Sequence, residues 1–210
     1  VYCSLSMSSP STDLPEDFLQ YLEECKRTGR HHDALAALER SLSLHPDNVF
    51  LLEEIADTEL SLNHFDRASV AAKRAVTLDK DSYTAHYIIG FIASHWQEWS
   101  ASVVSLKAAN HLHPNHPEIL RCLGWSLFNA GERTEGMVTL ERALNIQPDN
   151  PFTLCDLGVV CLQMQDFSKS KALFRRAVEL EPDNERAKDC LQMVSRFEQM
   201  TEKKDNLMQA

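Results

Sequence analysis

The sequence has few of the features that mark nucleic-acid-binding, membrane-spanning or disordered chains. Among its 210 residues, 21 are Lys or Arg and 31 are Asp or Glu, which gives a formal net charge of −10. Nucleic-acid binding depends on neutralising phosphates, so this deficit of cations argues against it. No run approaches the roughly 18 apolar residues of a membrane helix. Gly and Pro number only 6 and 8, so the composition favours a folded chain.

Motifs of catalysis and cofactor binding are also missing. The sequence contains no Gly-rich phosphate loop, GxSxG, HExxH or kinase signature. His111, His113 and His116 lie close together in HLHPNH, but no Cys or acidic ligand is interleaved, and we interpret them as solvated loop histidines. Adjacent acids such as Glu53 and Glu54 point to different sides of a helix. We therefore predict no enzymatic activity, no metal and no cofactor.

The six cysteines form no CxxC pair and show no metal-ligand spacing. Most fall at apolar helix positions, where Cys acts as a small hydrophobe. This usage is typical of a reducing compartment, and we expect a cytoplasmic location. The start, VYCSLSMSSPST, lacks the basic and apolar regions of a signal peptide. Residues 1–14 are predicted to be a disordered lead-in, of which 1–6 are interpreted as a cloning or processing remnant.

A period of 34 residues organises most of the chain. It is marked by Pro46, Lys80, Pro114, Pro148 and Pro182, which lie in the phrases SLSLHPDN, AVTLDKDS, ANHLHPNH, ALNIQPDN and AVELEPDN. With each of these residues at position 32, the repeats are 15–48, 49–82, 83–116, 117–150 and 151–184. Small residues recur at positions 8, 20 and 27, where two helices can approach closely. Each repeat is therefore predicted to be an antiparallel helix pair, ended by the residue at position 32.

This pattern resembles the tetratricopeptide repeat family, whose repeat length is 34 residues. The resemblance covers 15–184 and is carried best by EILRCLGWSLFNAGERTEGMVTLERALNIQPDN and FTLCDLGVVCLQMQDFSKSKALFRRAVELEPDN. It implies an all-α, right-handed helical solenoid of antiparallel helix pairs. Leu22 at position 8 and Lys80 at position 32 depart from the family pattern. Residues 185–200 are predicted to form a C-terminal capping helix, followed by a frayed tail at 201–210.

The resemblance also implies where a partner binds. In this family, positions 2, 5, 9 and 12 of each first helix line an inner groove. The candidate groove residues are Phe50, Glu53, Asp57, Tyr87, Phe91, Arg121, Trp125, Phe128, Phe152, Val159 and Leu162. The groove is acidic at its N-terminal end, where Glu16 and Glu23 also lie, and aromatic and aliphatic from Tyr87 onward. A contiguous apolar patch of this kind usually marks a binding site.

One class of the family grips the acidic C-terminus of heat-shock chaperones with Lys, Arg and Asn side chains at fixed groove positions. Starting from the first repeat, those positions hold Leu19, Glu23, Glu54, Thr84 and Ile88. Starting from the second or third repeat, they are no better suited. Such side chains cannot hold two carboxylates, so the partner is not a ligand of this carboxylate clamp.

We predict a non-enzymatic scaffold or adaptor that binds another protein in its groove, through a peptide or amphipathic helix that is apolar with some basic residues. The alternative is a holding chaperone or pilot for a hydrophobic client subunit, as in secretion or pilus systems. An end-to-end oligomer and a regulatory array from a longer chain stay open. The partner, pathway and oligomeric state do not follow from the sequence.

Overall fold

The computed structural model describes the backbone of residues 14–208 and the side chains of residues 14–198. All regular secondary structure in this range is α-helical, which confirms the all-α prediction. The helices are α1 (Glu16–Arg27), α2 (His31–Leu44), α3 (Val49–Ser61), α4 (Phe65–Leu78), α5 (Tyr83–His95), α6 (Trp99–Leu112), α7 (Pro117–Asn129), α8 (Arg133–Ile146), α9 (Pro151–Gln163), α10 (Phe167–Leu180) and α11 (Glu185–Met208). The predicted lead-in at 1–14 lies outside the described residues, except for residue 14.

The helices form two compact units, and each predicted repeat contains one helix pair. Unit 1 holds α1–α6 and ends at Pro114, and unit 2 begins at Asn115 and holds α7–α11. In unit 1, Leu52, Ala75 and Ala85 form a buried cluster. In unit 2, a larger buried cluster includes Leu140 and Leu154. Because each helix buries one apolar stripe against its neighbours, both cores lie between first and second helices.

Each helix pair turns through one residue with a left-handed backbone, at position 15 of the repeat. The φ angles are +71° at Gly29, 60° at Asn63, 61° at Gln97, 102° at Gly131 and 63° at Gln165. Glycine adopts such angles without steric cost, and asparagine tolerates them better than most other residues. Each of these five positions therefore makes a tight turn, although two of them carry glutamine.

The turns between repeats combine the predicted helix stop at position 32 with a residue that caps the next helix. Pro46 lies just past the end of α2, and Asn48 caps α3 by accepting a hydrogen bond from the amide of Leu51. Ser82 and Asn150 cap α5 and α9 in the same way. These side chains satisfy amides that have no partner inside the helix.

An arginine at position 26 of the repeat, on the second helix, ties three of these turns to the following repeat. Arg74 donates to the carbonyl of Pro46 at 2.6 Å, Arg142 donates to Asn115 Oδ1, and Arg176 Nη2 lies 2.7 Å from Asp149 Oδ1. The partner lies 27 or 28 residues earlier in each case. The same spacing in both units shows that the 34-residue period also governs surface polar contacts.

The last helix, α11, covers the end of unit 2. Its Ala187 and Val194 are completely buried. Phe197 stacks on Phe167 with ring centroids 6.4 Å apart, and Lys171 Nζ on α10 lies 2.5 Å from Glu198 Oε2. The helix continues to Met208, past residue 200 where the sequence predicts the cap to end.

The two helices of a pair meet backbone to backbone where positions 8 and 20 face each other. Ser102 Oγ donates to the carbonyl of Gly90 at 2.7 Å, and Ser170 Oγ donates to that of Gly158 at 2.8 Å. In the α7–α8 pair both positions are glycine. A Cβ on Gly136 would lie 2.6 Å from the Phe128 amide nitrogen and 2.7 Å from the Gly124 carbonyl oxygen. This approach leaves no room for a methyl group.

Replacing Gly136 by alanine is expected to lower the free energy of unfolding by about 1–3 kcal/mol, because the added methyl group overpacks a backbone contact. The gain in helix propensity, about 1 kcal/mol, offsets only part of this loss. Urea denaturation of the full chain measures the change. Gly158→Ala is the comparison, because there a Cβ meets the end of the Phe174 ring at 2.9 Å rather than backbone. A Gly136→Ala variant as stable as the wild type would contradict the close approach.

Candidate functional site

Helix α3, the middle first helix of unit 1, is buried from Leu51 to Leu60 on all its faces. Three of its acidic residues, Glu53, Glu54 and Asp57, are only 1%, 5% and 1% exposed. The predicted groove residues Glu53 and Asp57 are thus internal in this structure. Glu53 Oε1 accepts a hydrogen bond from Ser82 Oγ, the residue that caps α5. The acidic side chains of α3 therefore contribute to packing between helices of unit 1.

Lys26, at the end of α1, supplies a cation to this cluster. Its Nζ lies 2.8 Å from Glu54 Oε2 and 3.0 Å from Asp57 Oδ2. Burial alone lowers the pKa of Lys26, but the carboxylates of Asp57 and Glu54 outweigh it and raise the pKa. Burial raises the pKa of Glu54, and the Lys26 ammonium offsets this only in part. One ammonium thus bridges two carboxylates across the first two repeats.

The other groove candidates of unit 1 divide by exposure. Tyr87 is fully buried, whereas Phe50 and Phe91 are half-buried. The rings of Tyr87 and Phe91 lie 6.1 Å apart between centroids. Glu16 and Glu23 on α1 are exposed, so they are the acidic groove positions of this unit that meet solvent.

In unit 2, Arg121 on α7 is enclosed by acidic and aromatic side chains. It forms two hydrogen bonds to Glu118, of 2.6 and 2.9 Å, and its Nη1 lies 2.5 Å from Asp156 Oδ2 on α9. Its guanidinium carbon is 5.9 Å from the centre of the Phe152 ring. Burial raises the pKa of Asp156, and Arg121 lowers it in part, so that the pKa stays raised. Arg121 joins two first helices instead of standing free as a groove cation.

Four large apolar groove candidates of unit 2 are half-buried, and together with Arg121 they form what we call the α7–α9 face. Its residues are Arg121, Trp125, Phe152, Val159 and Leu162. Trp125 also packs against the buried core cluster of unit 2. Phe128 is a member of that cluster and is 3% exposed. The face thus holds aromatic and aliphatic side chains beside a paired guanidinium.

Comparison with known proteins gives a match for the α9–α10 helix pair. A model of the tetratricopeptide repeat matches residues 153–184, which hold most of α9 and all of α10. The matched segment is a tetratricopeptide repeat. No curated protein matches the sequence of this chain significantly.

Solved structures of similar fold include TTC0263, a thermophilic tetratricopeptide repeat protein of Thermus thermophilus, at 20% identity and a TM-score of 0.69, with 85% of this chain and 97% of that chain covered. MamA residues 41–end from Desulfovibrio magneticus RS-1 aligns at 17% identity and a TM-score of 0.66, with 80% and 96% covered. YrrB, described as having an unusual peptide-binding site, aligns at 15% identity and a TM-score of 0.63, with 84% and 91% covered. These similarities show that the chain has the same fold as these proteins.

The sequence analysis does not predict the two ion-pair clusters around Lys26 and Arg121. Their signal lies in the register: Lys26 is at position 12 of one repeat, while Glu54 and Asp57 are at positions 6 and 9 of the next. Arg121 and Asp156 are at positions 5 and 6 of consecutive repeats. Comparing charged residues between neighbouring repeats, rather than at one position of all the repeats, would have identified both clusters.

A pocket between α2, α3 and α4 was also missed. The pocket lies beside second helices, whereas the predicted groove positions all lie on first helices.

Across the part of the chain that the structure describes, no group of His, Cys, Asp or Glu side chains has the arrangement of a metal site. Within the same residues, no helix is both long and apolar enough to cross a membrane.

Replacing Lys26 by methionine is expected to lower the free energy of unfolding by about 2–3 kcal/mol at pH 7, because two buried carboxylates lose their cation. The value is below that for a fully buried pair, since Lys26 keeps 27% of its side-chain exposure. Burial raises the pKa of Glu54 in the folded state. The Glu54 carboxyl of the folded variant therefore binds a proton more tightly than that of the unfolded chain does. The loss of stability is small below the ordinary Glu pKa of about 4.3, and it grows as the pH rises through the folded-state pKa of Glu54.

Urea denaturation at several pH values checks this expectation. The matched control is Arg27→Met, because among the residues that the structure describes Arg27 pairs with Glu24 alone, at an exposed site. The ion-pair account is wrong if both variants lose the same stability, or if the Lys26→Met loss does not depend on pH.

Proposed function

We propose that this protein, which has the tetratricopeptide repeat fold, is a non-enzymatic adaptor that binds a segment of another protein on the α7–α9 face. Its fold is that of protein-interaction scaffolds. The observation that carries the finer proposal is the set of half-buried apolar side chains beside Arg121. Partly exposed aromatic residues of this kind tend to dominate the free energy of protein binding.

The rigidity of the face supports specific recognition. Arg121 links Glu118 on α7 to Asp156 on α9, so the two helices that carry the apolar residues are held in register. Because Trp125 rests on the unit core, its side chain is already ordered before a partner binds. A pre-ordered surface loses less conformational entropy on association, which favours affinity.

The charges around the face indicate the chemistry of the bound segment. Glu118 and Asp156 carry two negative charges and Arg121 carries one positive charge, so the cluster has a formal net charge of −1. The whole chain has a net charge of −10. A segment with apolar anchors and neighbouring Lys or Arg residues therefore fits better than an acidic one, with charge setting orientation and association rate more than affinity.

An adaptor accounts for the apolar residues better than a holding chaperone does. A holding chaperone needs broad open apolar surface for varied clients, but Tyr87 and Phe128, two of the largest candidates, are in the interior. YrrB, which shares the fold, is described as having a peptide-binding site. That description supports the proposal that this scaffold binds a protein segment. Light scattering with an aggregating client protein separates the two functions, because an adaptor does not suppress general aggregation.

Replacing Trp125 by alanine is expected to weaken partner binding by about 2 kcal/mol, or roughly thirty-fold, because a large ordered aromatic anchor is lost. The measurement starts with affinity purification of a partner on the full wild-type chain. Titration calorimetry of the purified pair then gives the dissociation constant for each variant.

Trp96→Ala is the matched control, because Trp96 is 42% exposed and lies in unit 1, at the end of α5. Circular dichroism verifies that both variants fold. Equal affinity of folded Trp125→Ala and wild type would rule out the α7–α9 face as the binding surface.

A further inference from the structure

Unit 1 contains a pocket of about 390 Å³ between its first two second helices, α2 and α4, with α3 as its floor. The apolar side chains that line it are Leu42, Leu52, Ile55, Val70 and Ala71. Leu52, Ile55 and Ala71 are buried, whereas Val70 at the mouth is 70% exposed. An apolar cavity thus continues into an exposed apolar rim.

The pocket is associated with a small residue at position 23 of the second repeat. Ala71 occupies this position, and the first, third and fourth repeats also have small side chains there, Ala37, Ser105 and Thr139. The last repeat has Leu173, which is 9% exposed and belongs to the core cluster of unit 2. The methyl group of Ala71 fills less of the volume between α2 and α4 than a leucine side chain would.

The charged residues around the pocket differ in whether they have an ion-pair partner. Arg67 lies 2.8 Å from both Glu39 Oε1 and Glu59 Oε1, so its guanidinium is held between α2 and α3. Arg74 donates to the carbonyl of Pro46 and lies 3.4 Å from Asp47 Oδ1. Asp66, also a lining residue, is exposed, and its side chain forms no hydrogen bond or ion pair with the residues that the structure describes. The available charge at this site is therefore negative.

We propose that this pocket is a second binding site, which takes an apolar side chain of a partner protein whose Lys or Arg, one helical turn away, pairs with Asp66. Small-ligand sites occupy about 300–1,000 Å³, and 390 Å³ suits one or two side chains. Val70 extends the apolar surface outside the cavity, so a helix that covers the mouth buries more of it than a small molecule inside does. Cation pairing agrees with the net charge of −10.

This site is independent of the α7–α9 face. It lies in unit 1 and is built mainly from second helices, whereas the face lies on first helices of unit 2. Loss of binding at either one leaves the proposal for the other intact. A protein with both sites is able to hold two partner segments at once.

The test uses nuclear magnetic resonance titration of the isotope-labelled full chain. The probe is an alanine-based helical peptide with one Leu and, four residues later, one Arg. Saturable chemical-shift changes are expected at the backbone amides of Val70, Ala71 and Ile55. Ala71→Leu, which fills the cavity, is expected to weaken binding at least tenfold. The control Ala101→Leu adds the same side chain at an exposed site on α6 and is expected to change nothing.

Two further variants keep the test decisive if Ala71→Leu does not fold. Val70→Ser removes apolar contact at an exposed position and is expected to weaken binding several-fold. Asp66→Asn is expected to abolish the preference of the protein for the Arg peptide over a matched Glu peptide. Reduced affinity in high salt for wild type, but not for Asp66→Asn, supports the same pairing.

Three outcomes overturn the proposal. The first is the absence of saturable shifts, and the second is a set of shifts on first-helix residues such as Phe50 and Phe91. The third is a concentration-dependent shift of the pocket amides without peptide, which would mean that a second copy of the chain is the occupant. Equal binding by folded Ala71→Leu and Ala101→Leu counts against the cavity as well.

Discussion

The close approach of the two helices within each pair is the constraint on which the rest of the structure depends. At Gly124 and Gly136 the backbones nearly touch, and at Gly90 and Gly158 a serine hydroxyl spans the gap to the facing carbonyl. This distance fixes where the remaining apolar side chains can pack. It also explains why small residues recur at positions 8 and 20 of the repeat, whereas the larger residues at other positions vary.

Much of the fold could be predicted from the sequence because the same backbone requirements recur in every 34-residue repeat. Local geometry demands a residue with positive φ, a capping oxygen and a small contact residue. Such residues therefore recur at fixed positions of the aligned repeats. Asn63, Gln97 and Gln165 occupy the turn column despite having side chains, because the helix pair needs the turn wherever it occurs. The periodic columns predicted helix pairs that the structure contains.

The candidate surface was harder to predict, because burial depends on side chains from neighbouring repeats. Periodicity places Glu53, Asp57 and Tyr87 at groove positions, but it does not report that each is almost fully enclosed. The pairing of Arg121 with Asp156 and the space beside Ala71 both depend on what an adjacent repeat contributes. Glu23 is exposed and Trp125 is half-buried, so both are closer to the solvent exposure expected at groove positions.

The bridge from Lys26 to Glu54 and Asp57 makes the first two repeats non-interchangeable with the others. A repeat protein can evolve by gaining, losing or shuffling whole repeats, provided that any repeat can follow any other. Here an acidic helix is compatible only with a predecessor that brings a cation to the same place. If the second repeat followed a repeat without a cation at position 12, Glu54 and Asp57 would be buried without an ion-pair partner, so the order of these repeats is fixed by charge as well as by shape.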